Sequence, residues 1–100
     1  MSDQAQKVMF IVVDTGMEAE VLEILQDQGL THYTKWEDCK GSGETGIREG
    51  NPIWPGLNSV FMVVMKPGQV EPLRAMLHAR RDTFTVTPGL KLIVLDGVMM

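Results

Sequence analysis

The 100-residue chain has one cysteine, Cys39. No disulfide can form within it, and a reducing, cytoplasmic setting is the expectation. Positive charge is scarce: 9 Lys and Arg against 13 Asp and Glu leave a net charge of −4. That excludes a general nucleic-acid binder, whose affinity comes from a basic face. Long hydrophobic runs are absent. "VMFIVV" and "VFMVVM" fall far short of the roughly 20 apolar residues of a membrane span, so no direct membrane insertion is expected. The opening "MSDQAQK" is polar and has no apolar core of a signal peptide. Compact metal-ligand pairs such as C-x-x-C or H-x-x-x-H are missing too.

What is present suits one small domain over residues 1–100. At 44% hydrophobic the chain can build a core, but a domain this short buries a modest share of its surface, so oligomerisation would help it. Val8 to Val13 is a continuous apolar run and reads as a buried strand. Thr15 and Glu18 have capping-box spacing. Met17, Val21, Ile24, Leu25 and Gln28 then share a helical stripe, and Gly29 is placed to end that helix. Thr31 to Trp36 is β-branched and aromatic, predicting a second strand. Leu57 to Met65 predicts a third. Val70, Leu73, Met76 and Leu77 keep helical spacing, with Pro72 near the start. "RRDTFTVTPG" is a loop, with an optional extended piece at 84–87, and Leu90 to Leu95 is a fourth strand. The order β-α-β-β-α-β is the α+β, ferredoxin-like arrangement: an antiparallel sheet with two helices on one face and a long loop between strands two and three.

Strands one and three are apolar on both faces. Phe10, Val12, Val60, Met62 and Val64 share one side, and Met9, Ile11, Val13, Phe61, Val63 and Met65 the other. Two helices cover one face, so the second predicts a symmetric oligomer packing sheet against sheet.

The segment "CKGSGETGIREGNPIWPG" joins strands two and three. A P-loop needs G-x-x-x-x-G-K-[ST] with a helix after it. Here Ile47-Arg48 follows Gly46 and a strand comes next, so that reading fails. A looser anion nest, with Lys40 and Arg48 supplying charge, remains, beside the simpler reading of a flexible, soluble loop. Trp36 and Trp54 bracket the segment, as ligand-stacking groups or as anchors of the loop base. His32, Cys39 and His78 with Asp38 suggest Zn²⁺ or Cu(I) ligands only if the fold unites them. Cys39 with either histidine would make a nucleophile–base pair on the same condition. Arg74, Arg80 and Arg81 read as a solvated basic end of helix two, with an anion site as the sharper option.

By element order and loop position the chain resembles the P-II signal-transduction superfamily, whose trimeric fold the CutA proteins share. Its most telling stretch is "GSGETGIREGNPIWPGLNSVFMVV": a Gly-rich loop, a Trp-Pro-Gly hinge and a strand start. The resemblance implies a small regulator and not an enzyme. It would be a homo-oligomer, a trimer, with a small-molecule or anionic effector in the intersubunit cleft. The mobile loop at about 37–56 would dock on a partner protein. It implies ligand-binding roles for Gly41, Gly43, Arg48 and Trp54 in the loop and for Trp36 and Lys91 at the cleft. The nucleotide motif of the superfamily is not carried over: in "RRDTFTVTPGLK" only Gly89 and Lys91 look like remnants, and the loop has no tyrosine. The cofactor and any metal are left unassigned. The alternatives are a CutA-type trimeric metal-binding or metal-tolerance protein using Cys39 and His32, and a small cofactor-free enzyme.

Overall fold

The computed structural model describes residues 5–39, the backbone of 42–43 and 46–47, and residues 57–100. Four strands and two helices follow in order: β1 (Ala5–Asp14), α1 (Glu18–Asp27), β2 (Tyr33–Cys39), β3 (Asn58–Met65), α2 (Val70–Arg81) and β4 (Leu90–Val98). The strands form one sheet in the order β2-β3-β1-β4, and every neighbouring pair is antiparallel. This is the expected ferredoxin-like arrangement. Ser42–Gly43 and Gly46–Ile47 pair as a separate two-residue ladder. Among the described residues no helix is long and apolar enough to cross a membrane.

Period-2 geometry sorts the apolar runs of β1 and β3 onto two faces. Met9, Ile11 and Val13 stand beside Val63, Phe61 and Ser59, all buried. The two helices close over this face with Met17, Val21, Ile24, Leu25, Leu73 and Leu77, which confirms the stripes read from spacing. Tyr33 extends the layer onto the edge strand, its ring tilted against Phe61 at a centroid distance of 5.8 Å. On the other face the register brings Phe10 beside Met62 and Ile93, and Val8 beside Val64 and Leu95. Among the described residues no helix covers this side, and Ile93, Leu95 and Trp36 are 43%, 52% and 45% exposed.

Local boundaries differ from expectation where side chains found other partners. The chain enters α1 through a 3-10 turn at Thr15–Met17, and neither turn nor helix has a side-chain cap. The capping box therefore does not form. The Thr15 hydroxyl donates to the Leu57 carbonyl at 3.0 Å, and the Glu18 carboxylate is held by Lys35 and Ser59. Charge-assisted partners outcompete a backbone N–H. At its far end α1 closes as sequence predicts. Gly29 has φ +71°, the Gly29 N–H reaches the Gln26 carbonyl at 3.0 Å, and the Leu30 N–H reaches Leu25 at 2.8 Å. That is a Schellman motif, with buried Leu30 as its apolar clasp.

β2 starts two residues later than Thr31 and runs past Trp36 to Cys39, and β4 runs past Leu95 to Val98, because each ladder continues along its neighbour. Residues 82–86 form turns and bends and 87–89 are irregular, so no extended piece arises at 84–87. α2 begins after a 3-10 turn at Pro67–Gln69, with Pro72 in its first turn as expected.

Candidate functional site at the loop end of the sheet

Antiparallel order brings four chain crossings to one end of the sheet: the ends of β1 and β2 and the starts of β3 and β4. Two rows cross the open face there. Trp36 pairs with Val60, Val60 with Val12, and Val12 with Lys91. One pair closer to the rim, Cys39 stands opposite Asn58 and Asn58 opposite Asp14, while the Asp14 N–H donates to the Gly89 carbonyl at 3.0 Å. Trp36 and Lys91, both expected at a cleft, thus share a row and a face. They occupy opposite edges, about 14 Å apart at three strand spacings.

A bulge creates this arrangement. Between Trp36 and Cys39 the register of β2 against β3 shifts, and Asp38 takes φ 56°, a left-handed conformation that aspartate tolerates better than most residues. Three steps along β2 from Trp36 to Cys39 match two along β3 from Val60 to Asn58. The inserted residue keeps Trp36 and Cys39 on the same face.

Beneath the rim, on the helix-covered side, lies a charged cluster. The Glu18 carboxylate accepts from the Lys35 ammonium at 2.8 Å and from the Ser59 hydroxyl. Lys35 also reaches Glu37 at 3.3 Å. Burial alone would raise the Glu18 carboxyl, but the Lys35 and Ser59 hydrogen bonds and the Lys35 charge outweigh it and hold the group below its ordinary 4.5. The Glu18 hydrogen bond, partly opposed by desolvation and helped by Glu37, holds Lys35 above its usual range. A depressed acid contributes stability in full above its unfolded value and loses it as pH falls through the folded one. Replacing Glu18 with Gln should therefore lower the urea midpoint at pH 7, and the gap to the unsubstituted chain should close as pH drops below about 4. A gap that stays constant from pH 7 to pH 3 would rule the cluster out as the cause.

Of the loop residues proposed as ligand-binding, Gly41, Arg48 and Trp54 lie outside the described residues. Gly43 is described in backbone only, opposite Gly46. The histidines and Cys39 do not come together within one chain. His32 precedes β2 and Cys39 ends it, about 20 Å of strand apart, so the pair proposed for a CutA-type metal site does not meet within one chain. Among the described residues no group of three or more His, Cys, Asp or Glu is placed to hold a metal ion. His78 sits on α2, which covers the face opposite to Cys39, so that nucleophile–base pair does not form either. The three arginines of α2 are engaged: Arg74 with Glu71, Arg80 with Glu23 at 2.6 Å, and Arg81 with Asp82 at 3.3 Å. These pairs within the chain fit the solvated-end reading.

Sequence reasoning missed Asp14, Thr15 and Ser59 as parts of this end of the molecule. Only one signal was there to find: an acid directly after an apolar strand run, a position that ends up buried.

No protein-family model matches the sequence, and no curated protein matches it. Solved structures do. CPII, a nitrogen regulatory PII-like protein from Thiomonas intermedia K12 bound to ADP, AMP and bicarbonate, superposes with a TM-score of 0.71 at 14% identity, over 95% of this chain and 90% of that one. The chain has the PII-like fold. The apo form of CPII matches this fold with a TM-score of 0.67 at 11% identity, over 96% and 95% of the two chains. A PII-like signalling protein from Thermus thermophilus matches it at 0.66 and 19% identity, over 99% and 93%. The segment between β2 and β3 leaves and rejoins the sheet at the end where the rows of Trp36 and Cys39 lie.

Proposed function

We propose that the chain is a small PII-like regulator that assembles as a ring, a trimer, and senses an anionic effector between subunits. The carrying observation is the row Trp36–Val60–Val12–Lys91. Its stacking and cationic ends sit on opposite sheet edges, too far apart to grip one small ligand from a single chain. A head-to-tail contact joins two different edges and closes as a ring. It sets Trp36 of one copy near Lys91 of the next, and the uncovered apolar face supplies the driving force. CPII, with the same fold, is described as bound to ADP, AMP and bicarbonate. That supports an adenine nucleotide or a small oxyanion as the effector class, with Trp36 stacking and Lys91 meeting charge.

The loop at 37–56, with Gly41, Gly43, Arg48 and Trp54, then completes the site and reads it out to a partner protein as an order–disorder element. The role is regulatory and not enzymatic, and the setting cytoplasmic. Sedimentation should give a trimer, and titration calorimetry should detect ADP or bicarbonate. Lys91→Ala should weaken the oxyanion-bearing ligand about tenfold or more, the loss of one charge-assisted hydrogen bond. A monomer, or no binding by ADP, AMP and bicarbonate, overturns the reading.

A further inference from the structure

Two consecutive residues at the end of β1 each make a double clasp. Asp14 holds Gly89 from both sides: its N–H donates to the Gly89 carbonyl at 3.0 Å, and its buried carboxylate accepts the Gly89 N–H. Thr15 holds Leu57 twice: its N–H donates to the Leu57 carbonyl at 3.1 Å, and its hydroxyl donates to the same oxygen at 3.0 Å. Leu57 is the residue directly before β3, where the long connecting segment returns to the sheet. Gly89 is the residue directly before β4, two before Lys91. These partners are remote in sequence from the clasp and from each other, and they meet on this dipeptide.

We propose that Asp14 and Thr15 are positioning residues that couple the return of the long segment to the start of β4, so that a change at either is felt at the other. The physical ground is one rigid peptide unit shared by two hydrogen-bonded grips. Opening the Leu57 grip lets Thr15 turn, and the Asp14 carboxylate, one peptide away, cannot keep its aim at Gly89 while that happens. Thermodynamic linkage makes the effect reciprocal: whatever factor one opening contributes to the other holds in both directions. The clasp is a discrete element whose equilibrium both segments bias, which is what physical coupling requires. Its regulatory use rests on the effector reading above; the coupling itself does not.

Amide hydrogen exchange in the 100-residue chain tests it. The reporters are the Thr15 amide, bonded to Leu57, and the Gly89 amide, bonded to Asp14. Thr15→Val removes the hydroxyl grip on Leu57. It should accelerate Gly89 exchange about fivefold or more, while amides in the middle of β3 keep their rates. Asp14→Asn, which preserves shape but offers a neutral acceptor, should likewise accelerate Thr15. Thr15→Ser restores a hydroxyl and should restore Gly89 protection, which a merely destabilised fold would not do. If each substitution affects only its own grip, or accelerates the whole sheet equally, the proposal is overturned. An added arm with ADP, AMP and bicarbonate separates the two ideas. Cross-talk in the variants with no protection by any of the three in the unsubstituted chain keeps the coupling and removes the effector reading. Protection by any of them without cross-talk does the reverse.

Discussion

Phe10→Asp is expected to break the assembly while leaving the fold of each chain in place. Phe10 stands at the middle of the uncovered face, between Met62 and Ile93. In an isolated chain it is only half-buried, so a carboxylate there keeps access to water and costs the fold little. Against another sheet the same carboxylate would be desolvated with no partner, costing about 4 kcal/mol or more, roughly a thousandfold in association. Sedimentation should show the variant as a single chain. Its unfolding midpoint should also lose the dependence on protein concentration that linked association imposes. A variant that sediments as the unsubstituted chain does would remove the uncovered face from the interface.

Phe61→Ala, on the opposite face of the neighbouring strand, should do the reverse. Phe61 is fully buried between the sheet and the helices and carries the ring of Tyr33. Truncating it leaves a cavity in the only layer that holds the helices to the sheet. About 3–5 kcal/mol of folding stability should be lost, read from urea unfolding at fixed protein concentration. For a domain of this size that is a large part of the total. A loss below about 1 kcal/mol would mean that the helix layer does not pack on Phe61 as described. The two substitutions sit one strand apart, and together they distinguish the face that makes the fold from the face offered to other chains.

That distinction was legible in the sequence because a continuous apolar run in a strand necessarily loads both faces, while two helices cover one. The helix stripes were legible for a related reason: Met17, Val21, Ile24 and Leu25 repeat at the helical period and bury together. Gly29 declared the end of α1 because few other residues take its backbone angle. The rest depended on contacts between residues far apart in the chain. Asp14 meets Gly89 and Thr15 meets Leu57 only after four strands align, and no local pattern announces either. Glu18 illustrates the opposite failure. Its spacing from Thr15 did suggest a local box, and the folded chain supplied stronger partners in Lys35 and Ser59. Of the candidate ligand residues, Trp36 and Lys91 proved to share one row. What sequence spacing could not supply was the width of the sheet between them.

The bulge at Asp38 acts as a phase shifter. Along a strand, side chains alternate sides like the ticks of a two-beat clock, and one inserted residue skips a beat. Cys39 therefore leaves the sheet on the same side as Trp36 instead of opposite to it. Lengthening or shortening the connecting segment beyond Cys39 would leave this phase untouched, so that segment has latitude to vary in length. Deleting Asp38 would take out the extra residue and leave the cysteine opposite Asn58 on the same side in a plain ladder. Straightening Asp38 in place would instead turn Cys39 toward the helix layer while every contact upstream stayed the same.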